Sequence, residues 1–437
     1  MKRTRKHLLL ITQLVLVSGL LKAQAFMGLD EAIKTGLEKN YGVLILKNQK
    51  EISRLQNNPG NAGMSPQVNL SGGAAFSNIN SFQAFTNGTT QDRYNAKSTG
   101  YSSALSIDMM VYDGNKMFAI KKRLAENEQL ADLQLRQQME NLIHDVILAY
   151  YDIVRIDVMI RTEKQNLLIY EERMKIAKLK LEVGSDSKVD YLLSQTDLNR
   201  ARSVITQMEL QLVDAKVKLN KTIGIEVDRE YNTEDTIVVN YEPSLDELKK
   251  DLSKKNAMIM IARQNELVSA QLVRESKSAL LPFVSAGLDY RFLNSQSQAG
   301  FLSSNNQNGF FADITAGWTL YNGSKNRNLL KERNINLLNQ QLITKQTELE
   351  VDAQVQVNYR RFLLSKQIAK LEFQNLTDSK ELQNISLERY RIGKTNLLEI
   401  IEAQKNLEDA QYRYITALYS VKQAEVELLK ANGSLLK

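Results

Sequence analysis

The sequence contains two copies of one unit, and this internal duplication restricts its fold more than any other feature. Residues 111–116 (VYDGNK) recur as residues 320–325 (LYNGSK), and Gly184 recurs as Gly393, both at an offset of 209 residues. Upstream, Pro66 recurs as Pro282 at an offset of 216 residues. Two constant offsets indicate two copies of one structural unit, and the change between them indicates a loop of variable length after the proline.

Long helices are predicted to form most of each copy. Residues 115–183 and 324–392 contain neither proline nor glycine. At 1.5 Å per residue each stretch would form a helix of about 100 Å. Gly184 and Gly393 are expected to end these helices in a left-handed conformation, and polar residues just after them can cap a returning helix. The sequence therefore predicts two helical hairpins, over residues 115–224 and 324–432.

The returning helices carry a seam of alternating three- and four-residue spacings, which is typical of supercoiled helices that pack against neighbours. In the second copy the seam consists of Ile400, Ala403, Leu407, Ala410, Tyr414, Ala417, Val421, Ala424 and Leu428. In the first copy it consists of Tyr191, Ser194, Leu198, Ala201, Ile205, Met208, Leu212, Ala215 and Leu219.

A different period, of two residues, predicts a β-hairpin in each copy, over residues 66–112 and 282–321. We expect strands of about ten or eleven residues, the length of a transmembrane β-strand. The polar stretches 77–100 and 294–309 are expected to be mobile external loops. Four strands cannot close a membrane barrel, which needs about eight, whereas three chains would supply twelve. Two soluble hairpins on a helical stalk are the alternative.

The N-terminus predicts export. Four basic residues precede an apolar run from Leu8 to Leu21, and Ala23-Gln24-Ala25 is a small-x-small cleavage site, which together are typical of a signal peptide over residues 1–25. A membrane-anchoring helix is the alternative, although the run is short for one. No other stretch approaches an apolar helix of about 20 residues, so a membrane crossing by the mature chain would need β-strands in a closed barrel.

Composition argues against several other classes of protein. The first 25 residues hold five basic and no acidic residues, so the net charge falls from +7 to +2 without them, and nucleic-acid binding is not indicated. The chain has no cysteine, His144 is the only histidine after residue 25, and no phosphate-binding loop or metal-spaced cluster occurs. We therefore predict no enzyme activity, no cofactor and no metal site, and interpret His144 as a packing or surface residue.

Taken together, the signal peptide, the two copies, the proline before each hairpin and the tip glycines resemble the TolC family of outer-membrane efflux proteins. The most specific stretch is residues 390–404 (YRIGKTNLLEIIEAQ). The resemblance implies a mixed α and β membrane protein with four transmembrane β-strands and long antiparallel helices per chain. It implies a homotrimer with a twelve-stranded barrel in outer-membrane lipid above a periplasmic α-helical barrel, which acts as an exit duct for efflux or type I secretion. A periplasmic adaptor (membrane fusion) protein and an inner-membrane pump of the RND, ABC or MFS class would be its partners.

Within this scheme the domains are the signal peptide (residues 1–25), repeat 1 (26–225), an equatorial linker (226–243) and repeat 2 (244–437). The resemblance assigns the periplasmic gate to Glu399, Glu402, Tyr390 and Asp190. It assigns the tips that contact the adaptor to Gly184, Ser185, Gly393, Lys394 and Thr395.

Each of these assignments has a simpler alternative. Glu399 and Glu402 lie three residues apart on one helix face, and would form two acidic rings in a trimer or only a solvated acidic face. Tyr390 would latch the closed end with Asp190, or would only pack between helices. The tip glycines are needed for a left-handed helix end in any case. A periplasmic coiled-coil protein without a pore remains the alternative function.

Overall fold

A computed structural model describes residues 25–184 and 187–436. The predicted signal peptide, apart from its last residue, and Ser185 lie outside these ranges. In chain order the elements are β1 Ala25–Phe26, α1 Leu29–Lys39, α2 Tyr41–Gln56, β2 Gln67–Ala84, β3 Thr90–Tyr112, α3 Lys116–Glu182, α4 Lys188–Ile223, β4 Tyr231–Asn232, α5 Leu245–Lys249, α6 Leu252–Lys255, α7 Ala257–Ser278, β5 Phe283–Ser297, β6 Ser304–Gly317, α8 Lys325–Arg391 and α9 Leu397–Ala431.

The long helices are confirmed. Helices α3 and α8 each have 67 residues, and both of their ends differ by the 209-residue offset. The returning helices α4 and α9 have 36 and 35 residues. Both seams are also confirmed, because no seam residue is exposed and most are fully buried. No helix in the described part of the chain is both long and apolar enough to cross a membrane.

The two copies use the same interaction where a returning helix ends. The side-chain amide of Asn40 donates to the carbonyl oxygen of Thr222 at 2.8 Å, and that of Asn256 donates to Ala431 at 2.8 Å. Beside them, Gly224 and Gly433 both have positive φ, and a Cβ at Gly433 would lie 2.4 Å from the carbonyl oxygen of Lys255. The duplicated Asn and Gly positions in the sequence therefore mark one structural junction that is built twice.

The four long strands form one antiparallel sheet in the order β2-β3-β5-β6. The sheet is not closed within the chain, so one side of β2 and one side of β6 have no partner strand among the described residues. A short parallel pair, β1 with β4, joins residues 25–26 to the linker segment.

Two expectations about the hairpins were wrong. The strands have 18, 23, 15 and 14 residues rather than ten or eleven. The expected loops 77–100 and 294–309 are mostly strand, and only residues 85–89 and 298–303 connect the strands of each hairpin. Asn, Ser, Gln and Gly are typical of loops, but the ladder bonds join backbone groups, and a neighbouring strand satisfies these whatever the side chain.

The register gives the sheet two different faces, as the period of two predicts. Residues that pair directly across strands share a face. On one face, a row across all four strands consists of Leu70, Leu105, Tyr290 and Phe310. On the other face, the neighbouring row consists of Asn69, Ser106, Asp289 and Phe311, and the next of Gln67, Asp108, Gly287 and Asp313. The apolar face is exposed in the single chain.

The chain divides into two compact units. The helical unit extends up to Lys47 and takes in Gln134–Met260 and the chain from Thr347 onward. The sheet unit comprises Asn48–Leu133 and Ile261–Gln346. The residues predicted for the gate and those predicted for the tips, apart from Ser185, which lies outside the described ranges, all belong to the helical unit.

Candidate functional site

The two helical turns at Gly184 and Gly393 have the predicted geometry. Both glycines are left-handed, with φ of +74° and +71°, and no further atom of the described residues lies within 4 Å of a Cβ placed on either. Ser187 caps α4 by accepting from the backbone N–H of Asp190 at 3.3 Å, and Asn396 caps α9 by accepting from the N–H of Glu399 at 3.0 Å. The left-handed backbone conformation of these turns therefore requires glycine, and the space around each glycine is open.

Glu399 and Glu402 differ in how their charges are balanced. The Glu399 carboxylate accepts from Nη1 of Arg389 at 2.8 Å and from the hydroxyl of Thr395, and 37% of its side chain is exposed. Glu402 is exposed and has no ion pair with any residue the structure describes. Sequence reasoning treated the two carboxylates as equivalent, and the contact with Arg389 distinguishes them.

Tyr390 is buried inside the hairpin end. Its side chain is 1% exposed and packs with Leu397 and Ile400. The ammonium nitrogen of Lys180 lies 3.9 Å from the centre of its ring, which is the geometry of a cation–π interaction. Asp190 accepts from the hydroxyl of Ser187 at 3.0 Å. Within one chain, Tyr390 thus contacts α3 while Asp190 takes part in the cap of α4.

An ion pair that the sequence did not reveal joins the two copies near the tips. The guanidinium of Arg391, at the end of α8, binds the carboxylate of Glu172 on α3 and that of Glu388 on its own helix at 2.5 Å. Arg391 belongs to the stretch that carries the family resemblance, but its partner lies more than 200 residues away in the chain. Only the packing of α8 against α3 identifies it.

A buried polar cluster lies further from the tips, between α3, α4 and α9. Arg173, which is 1% exposed, binds the carboxylate of Asp197 and donates to Oε1 of Gln404 at 3.1 Å, and its guanidinium lies 5.1 Å from the ring centre of Tyr170. Arg200 also contacts Asp197, at 2.9 Å. Sequence reasoning missed this cluster, although Glu163, Asn166, Tyr170 and Arg173 follow the same three- and four-residue spacing as a coiled-coil seam.

Glu408 is a titratable carboxyl group beside this cluster, and its surroundings clearly change its pKa. Burial raises the pKa of Glu408 to about 7, opposed by a hydrogen bond with Tyr170 and reinforced by the nearby Glu163 carboxylate. The Oε1 atom of Glu408 has no hydrogen-bond partner among the described residues. The Tyr412 hydroxyl donates to Glu163 at 2.8 Å, and burial also raises the pKa of Tyr412. Two carboxylates with hydroxyl neighbours thus lie between helices of the two copies.

No group of three or more His, Cys, Asp or Glu side chains that could hold a metal ion occurs in the described ranges. His144 contacts Asp145 at 2.8 Å through Nδ1 and borders a pocket of about 210 Å³ with Glu140 and Lys430.

Known proteins resemble this chain in sequence or in fold. The probable efflux pump outer membrane protein SepC of Pseudomonas putida is 22% identical over 318 residues, a match that spans 71% of this chain and 65% of SepC. The outer-membrane channel OprN superimposes with a TM-score of 0.77 at 15% identity, over 93% of this chain and 90% of OprN. The outer membrane protein VceC of Vibrio cholerae gives 0.77 at 13% identity, over 93% and 96%. The sequence also matches the outer membrane efflux protein family over residues 54–225 and 248–434. This chain belongs to the outer membrane efflux protein family, which is a family of transport channels of the TolC type.

Proposed function

We propose that three copies of this chain form the outer-membrane exit duct of an efflux or type I secretion system. The sheets of the three chains close into one twelve-stranded barrel, and the helical units form a periplasmic barrel. A periplasmic adaptor and an inner-membrane pump of the RND, ABC or MFS class deliver the cargo to it. This proposal rests on the sheet, which has one exposed apolar face, one polar face and two edges without a partner strand among the described residues.

An open sheet of this kind is unfavourable for a single chain. Unpaired edge strands leave backbone donors and acceptors without partners, and lipid cannot supply them. Pairing β6 of one chain with β2 of the next satisfies both edges and closes the sheet. The apolar row with Leu105 and Tyr290 then faces lipid, and the two polar rows, one with Asp289 and the next with Asp108, face water inside the barrel. A pore-free stalk offers no reason for an apolar face of this extent.

Helix α8 offers independent support for association. Apolar residues at successive spacings of seven, four, three, eleven and three residues, all of them sums of threes and fours, remain exposed along it, namely Val357, Leu364, Ile368, Leu371, Leu382 and Ile385. A coiled-coil seam left uncovered in one chain is the expected signature of a helix that packs on another copy.

In the proposed duct, Glu399, Glu402, Tyr390 and Asp190 act at the narrow periplasmic end. The turns with Gly184, Ser185, Gly393, Lys394 and Thr395 contact the adaptor. The open surroundings of both tip glycines support this assignment, because they leave the turns accessible.

A pair of neighbouring substitutions tests the membrane barrel. Leu105→Lys places a charge on the apolar face, and Ser106→Lys places the same charge on the polar face beside Asp289. A lysine that faces lipid near the middle of a membrane costs about 2–4 kcal/mol in a β-barrel. We therefore expect Leu105→Lys to abolish the outer-membrane trimer and Ser106→Lys to preserve it.

The measurement is fractionation followed by size-exclusion chromatography with light scattering, with the protein mass resolved from detergent. A wild-type particle of three mature chains in the outer-membrane fraction supports the duct. A soluble monomer or dimer in the periplasm, or equal behaviour of the two lysine variants, contradicts it.

A further inference from the structure

We propose that a cavity of about 410 Å³ in the helical unit is a binding site for a small amphipathic organic anion, such as a carboxylate or sulfonate on an apolar skeleton. The cavity, here termed the amide pocket, lies between helices of both copies. Its lining includes Asn166 and Ile169 from α3, Leu376, Lys380 and Gln383 from α8, and Gln411 from α9. Its volume is in the range of known small-molecule sites.

Gln383 interrupts the core pattern of its own helix at this cavity. The side of α8 that faces the hairpin repeats every seven residues as Val355, Phe362, Ala369, Leu376, Gln383 and Tyr390. Gln383 is the only carboxamide in this series, yet it is 2% exposed. Its Nε2 atom has no hydrogen-bond partner in the ranges that the structure describes. A buried donor without a partner destabilises the fold. Such departures from a helix's own pattern are therefore expected mainly at functional sites.

The other buried polar groups of the amide pocket are already occupied. The side-chain amide of Asn166 donates to Glu163 at 3.2 Å and to Oε1 of Gln411 at 2.9 Å, so both of its hydrogens are used. The hydroxyl of Thr162 donates to the carbonyl oxygen of Val158 at 2.9 Å. The group left over is a donor, the Nε2 of Gln383, and a ligand that satisfies it must supply an acceptor oxygen.

The charge of the lining indicates which kind of acceptor group a ligand would carry. No carboxylate lines the amide pocket, and Lys380 is its single cation, without an ion pair among the described residues. The aliphatic part of the lining consists of Val158, Ile169, Leu376, Leu407 and Ile415, and the remaining residues besides Lys380 are five carboxamides, Thr162 and Tyr414. A donor, a cation and an aliphatic part of the wall together favour an anionic oxygen on an apolar body, and the charge of Lys380 disfavours cations.

The inference does not depend on the duct. The amide pocket is formed within one chain, and binding can be measured without any conductance, so failure of one proposal leaves the other standing. If the pocket were covered on assembly of the copies, the purified oligomer would not bind the probe.

The test uses the full mature protein, purified in detergent, and the probe 6-fluoro-2-naphthoate, followed by fluorine NMR against a detergent blank. We expect a saturable bound signal with the wild type, and binding that is about tenfold weaker or more with Gln383→Leu. Lys380→Gln should weaken binding of the naphthoate several-fold, but leave binding of the neutral 6-fluoro-2-naphthamide unchanged. Gln374→Leu and Lys370→Gln, which alter exposed residues of α8 outside the pocket, are the matched controls.

Gln383→Leu removes an unpaired donor, so it should fold with a thermal midpoint at or above that of the wild type. Leu376→Trp, which fills the cavity, provides a second variant that should lose binding. The proposal is overturned if the wild type gives no saturable signal. It is equally overturned if the control variants weaken binding as much as Gln383→Leu and Leu376→Trp do.

Discussion

The Nη1 nitrogen of Arg389 lies 2.8 Å from Oε1 of Glu399, so one of the two carboxylates proposed for the gate has a cation of its own chain beside it. Glu402, one turn further along α9, has no such partner among the described residues. In an acidic ring the net charge facing the solution decides ion preference. The two positions should therefore contribute unequally.

We expect Glu402→Gln to reduce the cation preference of the duct more than Glu399→Gln does. Arg389→Gln should increase the preference, because it leaves the Glu399 charge unbalanced. The reversal potential of the protein in planar bilayers under a salt gradient measures this directly, and the difference should shrink at high salt as screening increases. Equal effects of the two glutamate substitutions would show that Arg389 does not neutralise Glu399.

Tyr390 and Asp190 provide a second prediction about the gate. If the Tyr390 hydroxyl and the Asp190 carboxylate hold the narrow end closed in the trimer, the double variant Tyr390→Phe and Asp190→Ala should raise the conductance of the closed channel. The fold should survive, because phenylalanine keeps the ring that packs on Leu397 and beneath Lys180. Unchanged conductance, with an unchanged thermal midpoint, would leave Tyr390 as a packing residue.

Glu408 predicts a pH dependence of stability. Its pKa in the folded chain is raised to about 7, above the ordinary value of 4.5, so the folded state holds its proton more tightly than the unfolded state. The contribution of Glu408 to stability is complete below about pH 4.5, falls as the pH rises, and is lost above about pH 7, with a total change of at most about 3 kcal/mol.

The comparison variant for this effect is Glu408→Gln, which cannot titrate. Its thermal midpoint should be close to that of the wild type at low pH and above it at neutral and higher pH. Glu402→Gln, at an exposed position of the same helix, should show no such pH-dependent difference in thermal midpoint from the wild type. A constant difference between wild type and Glu408→Gln across this pH range would contradict the assignment.

Gly393 and Gly433 have similar left-handed φ values but different surroundings, so alanine at each position distinguishes the cost of backbone strain from the cost of close packing. Gly393→Ala meets open space at φ +71°, so it should cost only the left-handed penalty of about 1–2 kcal/mol. Gly433→Ala at φ +74° would also bring its Cβ to 2.4 Å from the carbonyl oxygen of Lys255. We expect the second variant to lower the thermal midpoint clearly more than the first. Equal losses would mean that the junction with Lys255 can open at little cost.

The sequence by itself determined the repeat architecture and the long helices. The 209-residue offset and the absence of glycine and proline required two equal helices, since nothing in either stretch could interrupt the backbone ladder. The seam spacing identified the buried face of α9, and the period of two identified the faces of the sheet. These are local properties, because they depend on spacings within one element.

The tertiary structure alone decided which distant groups meet and where the strands end. Which turn of one helix lies beside which turn of another decides the partners of Arg391 and Arg173 and the raised pKa of Glu408. It also decides that the Nε2 atom of Gln383 has no hydrogen-bond partner among the described residues. The strands extend beyond their apolar segments because a neighbouring strand provides backbone hydrogen bonds to polar residues as well as to apolar ones. Side-chain pattern encodes burial, whereas contacts between distant residues arise only when helices and strands pack at one definite register.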